Sequence, residues 1–322
     1  MDINFNILAI AKGTLQAESD AITKAIDFLN DDFLESVKAI FNSEGRLIVT
    51  GIGKSAHIGQ KIVATLNSTG TPSLFMHAAE AVHGDLGMIT KNDVILCISK
   101  SGNSPEIKVL APLLKRDGNI LIGMTANKAS FLGKNSDFVI NAYVEKEADP
   151  NNLAPTTSTT VQLALGDALA VSLIEMRNFT ANDFAKYHPG GSLGKKLLLR
   201  IENILDGKNK PTVNISSRIQ EVIFEISNKR LGVTAVLDDD DIKGIITDGD
   251  IRRMLEKTTD LSLITAKEIM TVNPKTIEMN AKVEDALNIM ESFEITQLVV
   301  TNNNKYAGII HLHDILKEGI VS

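Results

Sequence analysis

The chain has 322 residues, a formal net charge of −7, and a composition that is 43% hydrophobic and 23% charged, as in an ordinary globular protein of more than one domain. The acidic balance, an aromatic content of 4% and the lack of Trp exclude the basic and stacking surfaces typical of nucleic-acid binding. No signal-peptide pattern and no apolar run long enough to span a bilayer is present, so we expect a cytoplasmic protein with no membrane partner.

The first segment is predicted to be helical. Apolar residues recur in it at spacings of three and four, as on one face of a helix. These residues are Ile22, Ile26, Leu29, Phe33, Val37 and Ile40. Such a stripe predicts a face that packs in the core or against another subunit.

From Arg46 onward, short apolar runs alternate with helical stretches near 55–68, 104–116 and 158–178. The five runs are Leu47–Thr50, Ser73–Met76, Val94–Ile98, Ile120–Met124 and Phe138–Ala142. Because strands that alternate with helices form right-handed βαβ units, we predict an α/β domain with a doubly wound, parallel, five-stranded sheet. Continuous apolar runs fit strands covered on both faces. The ligand crevice of such a sheet lies at the carboxyl ends of its strands.

The only cysteine, Cys97, lies inside the third apolar run. A single Cys excludes an intramolecular disulfide and a Cys-rich zinc site. Its apolar setting predicts a buried and unreactive thiol.

The C-terminal part of the chain repeats itself. Gly244–Ile246 and Gly308–Ile310 have the same sequence. The number of residues between Asp250 and Asp314 equals the number between corresponding residues of these two segments. Several pairs of apolar residues have the same separation in the sequence. Leu205 and Met270 fit the same alignment with a slip of one position. A separation shared by so many positions indicates a structural duplication.

The polar stretch Asp206–Pro211 has the composition of a linker. We therefore divide the chain into a domain of residues 1–200, which includes the N-terminal helical segment, and two repeats, 201–262 and 263–322. The repeats are expected to pack into one smaller α+β module, because half of it would bury too little apolar surface alone.

The first candidate site is the loop Thr50–Ser55, directly after the first predicted strand. Its glycines allow a ligand to approach backbone N–H groups at a helix start. A Walker A loop would need Gly where Ile48 stands, and a dinucleotide fingerprint would need an acidic residue within Ser73–His77, which has none. Lys54 therefore remains as a cation beside an anion-binding loop.

A second loop, Ser99–Ser104, follows the third predicted strand and precedes a helix. Three hydroxyl groups and free backbone N–H groups at such a junction suit a phosphate monoester. The alternative is an ordinary Ser-rich helix cap. Two anion-compatible loops after strands of one sheet favour the phosphate.

Four titratable residues lie near predicted strand ends, namely His83, Glu106, Glu147 and His188. Each has a structural alternative, because a lone His is usually structural or exposed and Glu106 at a helix start also favours the helix dipole. The functional interpretation depends on their common position beside the predicted phosphate loops.

Together these motifs resemble the sugar isomerase (SIS) domain, and the fuller set is similar to the D-arabinose 5-phosphate isomerases. The motifs are Gly51–Ser55, Ser68–Pro72, Glu80–Gly87, Ile98–Ser104, Leu153–Thr160 and His188–Gly191. The tail resembles paired cystathionine-β-synthase-type (CBS) repeats, and the same domain order occurs in the full-length isomerases. The resemblance implies interconversion of ribulose 5-phosphate and arabinose 5-phosphate for the synthesis of Kdo, a sugar acid of lipopolysaccharide and capsules.

The resemblance also implies roles for individual residues and a homotetrameric assembly. The active-site residues it implies are Lys54, His83, Glu106, Glu147 and His188, and the phosphate contacts are Ser55, Ser99, Ser101 and Ser104. Lys100, Asn103 and Asp149 depart from the family pattern, and Asn103 leaves the finer contacts of the phosphate loop open.

Aldose–ketose isomerisation moves a proton between C1 and C2 through a cis-enediolate, which needs a base and a group that stabilises the charge. A carboxylate with a pKa raised by partial burial suits the base, and Glu147 and Glu106 are both candidates. His188 or His83 would open the sugar ring and move protons at O1 and O2. No redox cofactor and no obligate metal are expected.

Two other functions compete with this one. An isomerase of another phosphosugar would share the phosphate loops, but we would not expect it to share the His83–Asp85 and Lys146–Ala148 segments together. A sugar-phosphate-sensing regulator without catalysis would carry a basic DNA-binding unit, and the short segment before the first strand, which begins at Leu47, has no basic helix.

The tail has a candidate site of its own. Thr247 and Asp250 resemble the positions that hold a nucleotide ribose in CBS pairs, whereas the second repeat has His311 in place of Thr247. We therefore expect at most one intact site, for a nucleotide or a pathway product. A purely structural or oligomerising module is the alternative.

Overall fold

The computed structural model describes residues 7–207, 209–257 and 260–320. It divides into two compact units, Met1–Tyr187 and His188–Ser322. The division precedes the boundary predicted at residue 200, and the predicted linker includes residue 208, which lies outside the described residues.

The N-terminal segment forms two helices, α1 (Ile7–Ile26) and α2 (Asp31–Asn42). The side chain of Asn30 caps α2 by accepting a hydrogen bond from the Asp32 backbone N–H at 3.0 Å. This cap starts a second helix, so the predicted stripe is divided between two helices and the turn that connects them. The stripe residues of α2 are buried or partly buried in the core, whereas those of α1 and the connecting turn are exposed.

The first unit contains the predicted five-stranded sheet. Its strands are β1 (Leu47–Gly51), β2 (Ser73–His77), β3 (Val94–Ile98), β4 (Leu121–Thr125) and β5 (Phe138–Asn141). They are all parallel, in the order β2-β1-β3-β4-β5. The strand order reverses between β1 and β3, which is where ligands bind in open α/β sheets.

The helices of the first unit cover both faces of this sheet. They are α3 (Lys54–Ser68), α4 (Ala78–Ala81), α5 (Pro105–Leu114), α6 (Phe131–Asn135), α7 (Thr157–Met176) and α8 (Ala181–Tyr187), with a 3₁₀ turn at Asp85–Met88. Every residue of β1, β3 and β4 is buried, and one apolar cluster lies on each face. The α/β prediction is confirmed.

Two predictions about apolar segments concern this core. Cys97 is fully buried, and burial raises the pKa of its thiol to about 12, which confirms the prediction of an inert thiol. Helix α7 is long and apolar enough to cross a membrane by length and composition alone. It contributes Val161, Leu165, Leu169 and Leu173 to the core of the first unit, so it is a core helix here.

The second unit begins with α9 (Ser192–Leu198) and then contains two similar halves. The first half comprises α10 (Ile201–Ile204), β6 (Thr212–Asn214), α11 (Ile219–Lys229), β7 (Val233–Asp238), β8 (Asp241–Thr247) and α12 (Asp248–Lys257). The second comprises α13 (Ala266–Ile269), β9 (Thr271–Val272), β10 (Thr276–Glu278), α14 (Val283–Ser292), β11 (Gln297–Asn302), β12 (Lys305–His311) and α15 (Leu312–Lys317). The sheets have the orders β6-β7-β8-β9 and β10-β11-β12.

The duplication is visible in detail. The antiparallel pairing shifts register directly after Val236 in one half and directly after Val300 in the other. These two positions have the same separation along the chain as the repeated Gly244 and Gly308. The starts of the short helices α10 and α13 are one position further apart than that, which agrees with the slip seen in the sequence. The predicted repeats are confirmed.

The leading helix of each half packs in the core of the other half. Ile201 of α10 lies in the cluster built by residues 277–320, and Ala266 of α13 lies in the cluster built by residues 213–254. The repeated glycines fit this arrangement, because a Cβ on Gly308 would meet the Leu205 side chain at 3.2 Å and one on Gly244 would meet Met270 at 3.0 Å.

Candidate active site

A cavity of about 250 Å³ lies at the carboxyl ends of β1 and β3. It brings together all four predicted phosphate-binding serines and Lys54. The lining residues are Ile52, Lys54, Ser55, Ile98, Ser99, Lys100, Ser101, Ser104, Pro155, Ser158, Thr159 and Gln162. The structure therefore places both predicted anion-binding loops around one space, and we call it the phosphate cavity.

The first loop turns directly into α3. Gly53 has a φ of 59°, in the left-handed region that favours glycine, and it precedes Lys54 at the helix start. Lys54 is exposed at this start, where the backbone N–H groups of a helix have no intrahelical acceptor. The Ser55 hydroxyl donates to Gln162 Oε1 at 3.2 Å. A cation, a hydroxyl and a helix N-terminus thus meet on one wall of the phosphate cavity.

The serine loop is held in shape by its own hydroxyls. Ser99 Oγ accepts from the Gly102 N–H at 3.2 Å, and Ser101 Oγ accepts from the Asn103 N–H at 3.3 Å. Gly102 is buried with a φ of 62°, and a Cβ there would overlap the Ser130 side chain. Asn103 Oδ1 accepts from the Phe131 N–H at 2.9 Å, so this departure from the family pattern fixes the loop to α6.

Ser104 lies at the N-cap of α5 but does not cap it with its side chain. Its Oγ is buried at the phosphate cavity and has no hydrogen-bond partner among the described residues. Because a buried hydroxyl without a partner costs free energy, this atom favours a hydrogen-bonding group in the cavity.

A second cavity, of about 340 Å³, brings His83 and Glu106 together. Both side chains are exposed to it, and small or apolar residues of α4 and α5 form the rest of the wall. Glu106 is the second residue of α5 and stands two positions after Ser104. The start of α5 therefore contributes to both cavities, and we call the second one the carboxylate cavity.

Glu147 lies in neither lining. Its buried carboxylate accepts from Lys100 Nζ at 2.5 Å, from the Ser158 hydroxyl at 2.5 Å and backbone N–H at 3.0 Å, and from the Thr156 backbone N–H at 2.9 Å and hydroxyl at 3.3 Å. These donors join the segment after β5 to the start of α7.

Burial by itself raises the pKa of Glu147, but the Lys100 ammonium and the donors of Ser158 and Thr156 outweigh it and lower the pKa to about 2. The expectation that partial burial gives Glu147 the raised pKa of a general base is therefore wrong for this arrangement. Burial alone does not determine this pKa, because five donors surround the carboxylate.

His188 is not in the first unit. It is the first residue of the second unit, in the turn before α9, and its carbonyl oxygen accepts from the Gly191 N–H at 3.1 Å. Of the five predicted catalytic residues, the structure thus places Lys54 in the phosphate cavity, His83 and Glu106 in the carboxylate cavity, and Glu147 behind the phosphate cavity wall.

Four polar residues that line the phosphate cavity are not among the predicted site residues, namely Lys100, Ser158, Thr159 and Gln162. In the sequence, Lys100 stands out only as a departure from the family pattern, and Ser158 and Thr159 only as parts of the motif Leu153–Thr160. Gln162 lies on the first turns of α7, and no feature of the sequence identifies it.

The contacts of Thr247 and Asp250 in the tail are those of a helix cap. The Asp250 carboxylate accepts from the Thr247 N–H at 2.8 Å and hydroxyl at 2.7 Å, and also from Arg253 at 2.6 Å. Burial opposes ionisation, but these donors outweigh it and lower the pKa of Asp250. In the second repeat, the His311 N–H and the Asp314 carboxylate pair in the same way at 3.3 Å.

Over residues 7–207, 209–257 and 260–320, no three His, Cys, Asp or Glu side chains converge as a metal site would require. The polar side chains that line the phosphate cavity are hydroxyls, the Gln162 amide and the two lysines. Such a set of donors suits an anion rather than a cation.

The fold and the cavity define a SIS-domain protein with a CBS pair. The SIS domain family matches residues 40–172, and the CBS domain family matches residues 204–257 and 266–320. Arabinose 5-phosphate isomerase KdsD of Pseudomonas aeruginosa is 45% identical over 100% of this chain and 99% of its own length. The enzyme of the same name from Yersinia pestis is 47% identical over 96% of this chain and 95% of its own length.

Among solved structures, Escherichia coli CFT073 c3406 in complex with arabinose 5-phosphate is 42% identical, with a TM-score of 0.56, over 58% of this chain and 99% of that chain. The identity to KdsD extends through both the SIS domain and the CBS pair. The chain belongs to the arabinose 5-phosphate isomerase family.

Proposed function

We propose that the protein interconverts D-ribulose 5-phosphate and D-arabinose 5-phosphate and supplies Kdo biosynthesis. The observation that carries the proposal is the position of the start of α5, because its N-cap Ser104 lines the phosphate cavity and its second residue, Glu106, lines the carboxylate cavity. A pentose 5-phosphate has its phosphate at one end and C1 and C2 at the other. It fits two neighbouring cavities, one lined by anion donors and the other by a carboxylate and an imidazole.

In this proposal the phosphate is held by Lys54, by the hydroxyls of Ser55 and Ser104, and by the loop that contains Ser99 and Ser101. Charge-assisted hydrogen bonds to an anion are stronger than neutral ones. The binding energy of the phosphate would fix the position of the reacting carbons at the other end of the substrate.

Glu106 is our candidate for the general base, because its exposed carboxylate shares the carboxylate cavity with His83. The base removes the C2 proton of the open-chain aldose, and the electrons form the C1–C2 double bond of an enediolate with negative charge on O1. A proton passes from O2 to O1, and the base returns its proton to C1 to give the ketose. His83 is positioned to exchange protons with these oxygens and to assist ring opening.

Glu147 has a positioning role in this mechanism, because its carboxylate is already occupied by donors. It fixes Thr156 and Ser158 at the start of α7, and Ser158 lines the phosphate cavity. His188 is assigned to proton transfer on the family resemblance alone.

The direct test is an isomerase assay by NMR, with ribulose 5-phosphate as substrate and hexulose and heptulose phosphates alongside it. Selective formation of arabinose 5-phosphate is the expected result. Turnover of another phosphosugar alone would contradict the proposed substrate. Folded protein that turns over none of these sugars would contradict the proposed isomerase activity.

The assignment of the base is tested with Glu106→Gln, which keeps the shape of the side chain and removes its basicity. We expect kcat to fall by about a hundredfold to ten-thousandfold, with KM changed much less. Glu175→Gln is the matched control, because it makes the same change at an exposed position of α7 outside both cavities. A Glu106→Gln enzyme with the kcat of the parent would reject the assignment.

Three further properties belong to the same proposal. A homotetramer is proposed, supported by the family resemblance and by the exposed apolar side chains of α1, which include Ile7, Leu8 and Leu15. The CBS pair is proposed to bind a nucleotide or a pathway product near Thr247 and Asp250, which calorimetry with adenine and cytidine nucleotides would test. The protein is proposed to act in the cytoplasm, where charged sugar phosphates are retained because they do not cross a bilayer.

A further inference from the structure

Lys100 lines the phosphate cavity and also contacts the buried carboxylate of Glu147. Its side chain lines the phosphate cavity beside Lys54, while its ammonium donates to Glu147 Oε1 at 2.5 Å. The Lys100 side chain is 42% exposed, whereas the Glu147 side chain is fully buried. One partner of this ion pair is therefore accessible from the cavity, and the other is fixed inside the protein.

The buried partner does not depend on Lys100 alone. Without the ammonium, Glu147 would still accept hydrogen bonds from two backbone N–H groups and two hydroxyls, all supplied by Thr156 and Ser158. Removing the only partner of a buried charge is strongly unfavourable, but that situation does not arise here. The ammonium can leave the carboxylate while the carboxylate keeps most of its partners.

A lysine is suited to such an exchange. Its ammonium is a compact charge on a flexible four-carbon stem, with three donors and no fixed fork geometry. A phosphate monoester carries close to two negative charges at neutral pH, whereas Glu147 carries one. A phosphate bound between the serine loop and α3 therefore competes effectively for the Lys100 ammonium.

We propose that Lys100 is a second cation of the substrate phosphate site, and that its ammonium exchanges Glu147 for the substrate phosphate on binding. This inference rests on the proposed phosphosugar function of the same cavity. Glu147 is then the counter-ion of Lys100 when no substrate is bound. A sugar without phosphate has no anion to displace Glu147, so the exchange favours phosphorylated substrates.

The first test measures the dissociation constant of inorganic phosphate by calorimetry at pH 7, with the full chain. Lys100→Gln keeps a polar donor near Glu147 and removes the positive charge. We expect it to weaken phosphate binding by about tenfold to a hundredfold, the range of one hydrogen bond to a charged group. Lys108→Gln is the matched control, because it removes an exposed lysine of α5 outside the cavity lining, and it should bind phosphate like the parent.

The second variant leaves Lys100 in place. Glu147→Gln removes the negative charge that holds the ammonium, so we expect phosphate to bind about threefold to tenfold more tightly. The two variants therefore move the affinity in opposite directions. If Lys100 and Glu147 only supported the structure, both variants would weaken binding or leave it unchanged, and either result would overturn the proposal.

The binding measurements do not require turnover, so the two proposals can fail separately. Normal isomerase activity with parental phosphate affinity in Lys100→Gln would reject the role of Lys100 and leave the proposed function intact. Weaker phosphate binding in Lys100→Gln and tighter binding in Glu147→Gln, without isomerase activity in the parent, would reject the proposed reaction. Lys100 would then still be a phosphate ligand.

Discussion

The ionised state of Glu147 is expected to stabilise the native state. Its pKa falls from 4.5 to about 2 in the folded chain, which corresponds to about 3 kcal/mol of native-state stabilisation at pH 7. A group whose pKa is lowered on folding stabilises the native state above its unfolded pKa. This contribution should therefore be complete above about pH 5 and should disappear as the pH falls from 4.5 towards 2.

The variant Glu147→Gln tests this contribution, and the experiment measures the difference in the free energy of unfolding between parent and variant. We expect the parent to be more stable by about 3 kcal/mol at pH 7, and the difference to shrink at pH 4 and again at pH 3. Glu175→Gln serves as the control, because that side chain is exposed on α7. It should show little difference from the parent at any pH.

The chain provides its own probe for this assay. Cys97 is the only cysteine and is fully buried in β3, so a thiol reagent reaches it only when the first unit opens. Urea titrations followed by the reaction of Cys97 with dithiodipyridine, which works in acid, report on that unit specifically. A stability difference that stayed constant between pH 7 and pH 3 would refute the reasoning about Glu147.

Three further predictions concern the glycines of the two loops, the Ser104 hydroxyl and the cap formed by Asp250. Gly102→Ala should destabilise the first unit by about 2–5 kcal/mol, because the new Cβ would overlap Ser130 at an unfavourable φ. Gly53→Ala should cost only about 1–2 kcal/mol, because its Cβ would meet no atom of the described chain within 4 Å. Urea titrations of the two variants would measure this difference in the free energy of unfolding. Ser104→Ala should raise KM about tenfold at unchanged kcat in the isomerase assay. Asp250→Ala should remove the cap formed with Thr247 and lower the stability of the tail by about 1–2 kcal/mol in a thermal melt.

The sheet was predictable because its strands are buried on both faces. Val94–Ile98 was predicted with the bounds that the structure has, and the other four strands differ by a single position at one or both ends. A continuous apolar run between turn-forming residues has few alternatives in such a chain. The two predicted phosphate loops follow directly from those strand ends, which is why their serines line one cavity in the structure.

The environment of Glu147 could not be predicted in the same way. Its donors come from Lys100, 47 positions earlier, and from Thr156 and Ser158, nine and eleven positions later. A sequence shows that such residues exist, but their convergence depends on the tertiary path of the chain. The helix start at Asn30 is a different case, because its cap is a local hydrogen bond to Asp32 that the periodicity of the apolar stripe does not reveal.

The reciprocal packing of α10 and α13 makes each half of the tail depend on the other for a complete core. Deleting residues 263–322 would strip Ile201 and Leu205 of their surroundings and also take away the helix that completes the core of residues 213–254. A gene that lost or gained one half would encode two incomplete cores rather than one intact domain. The pair is therefore expected to melt in one transition and to be gained or lost as a whole during evolution.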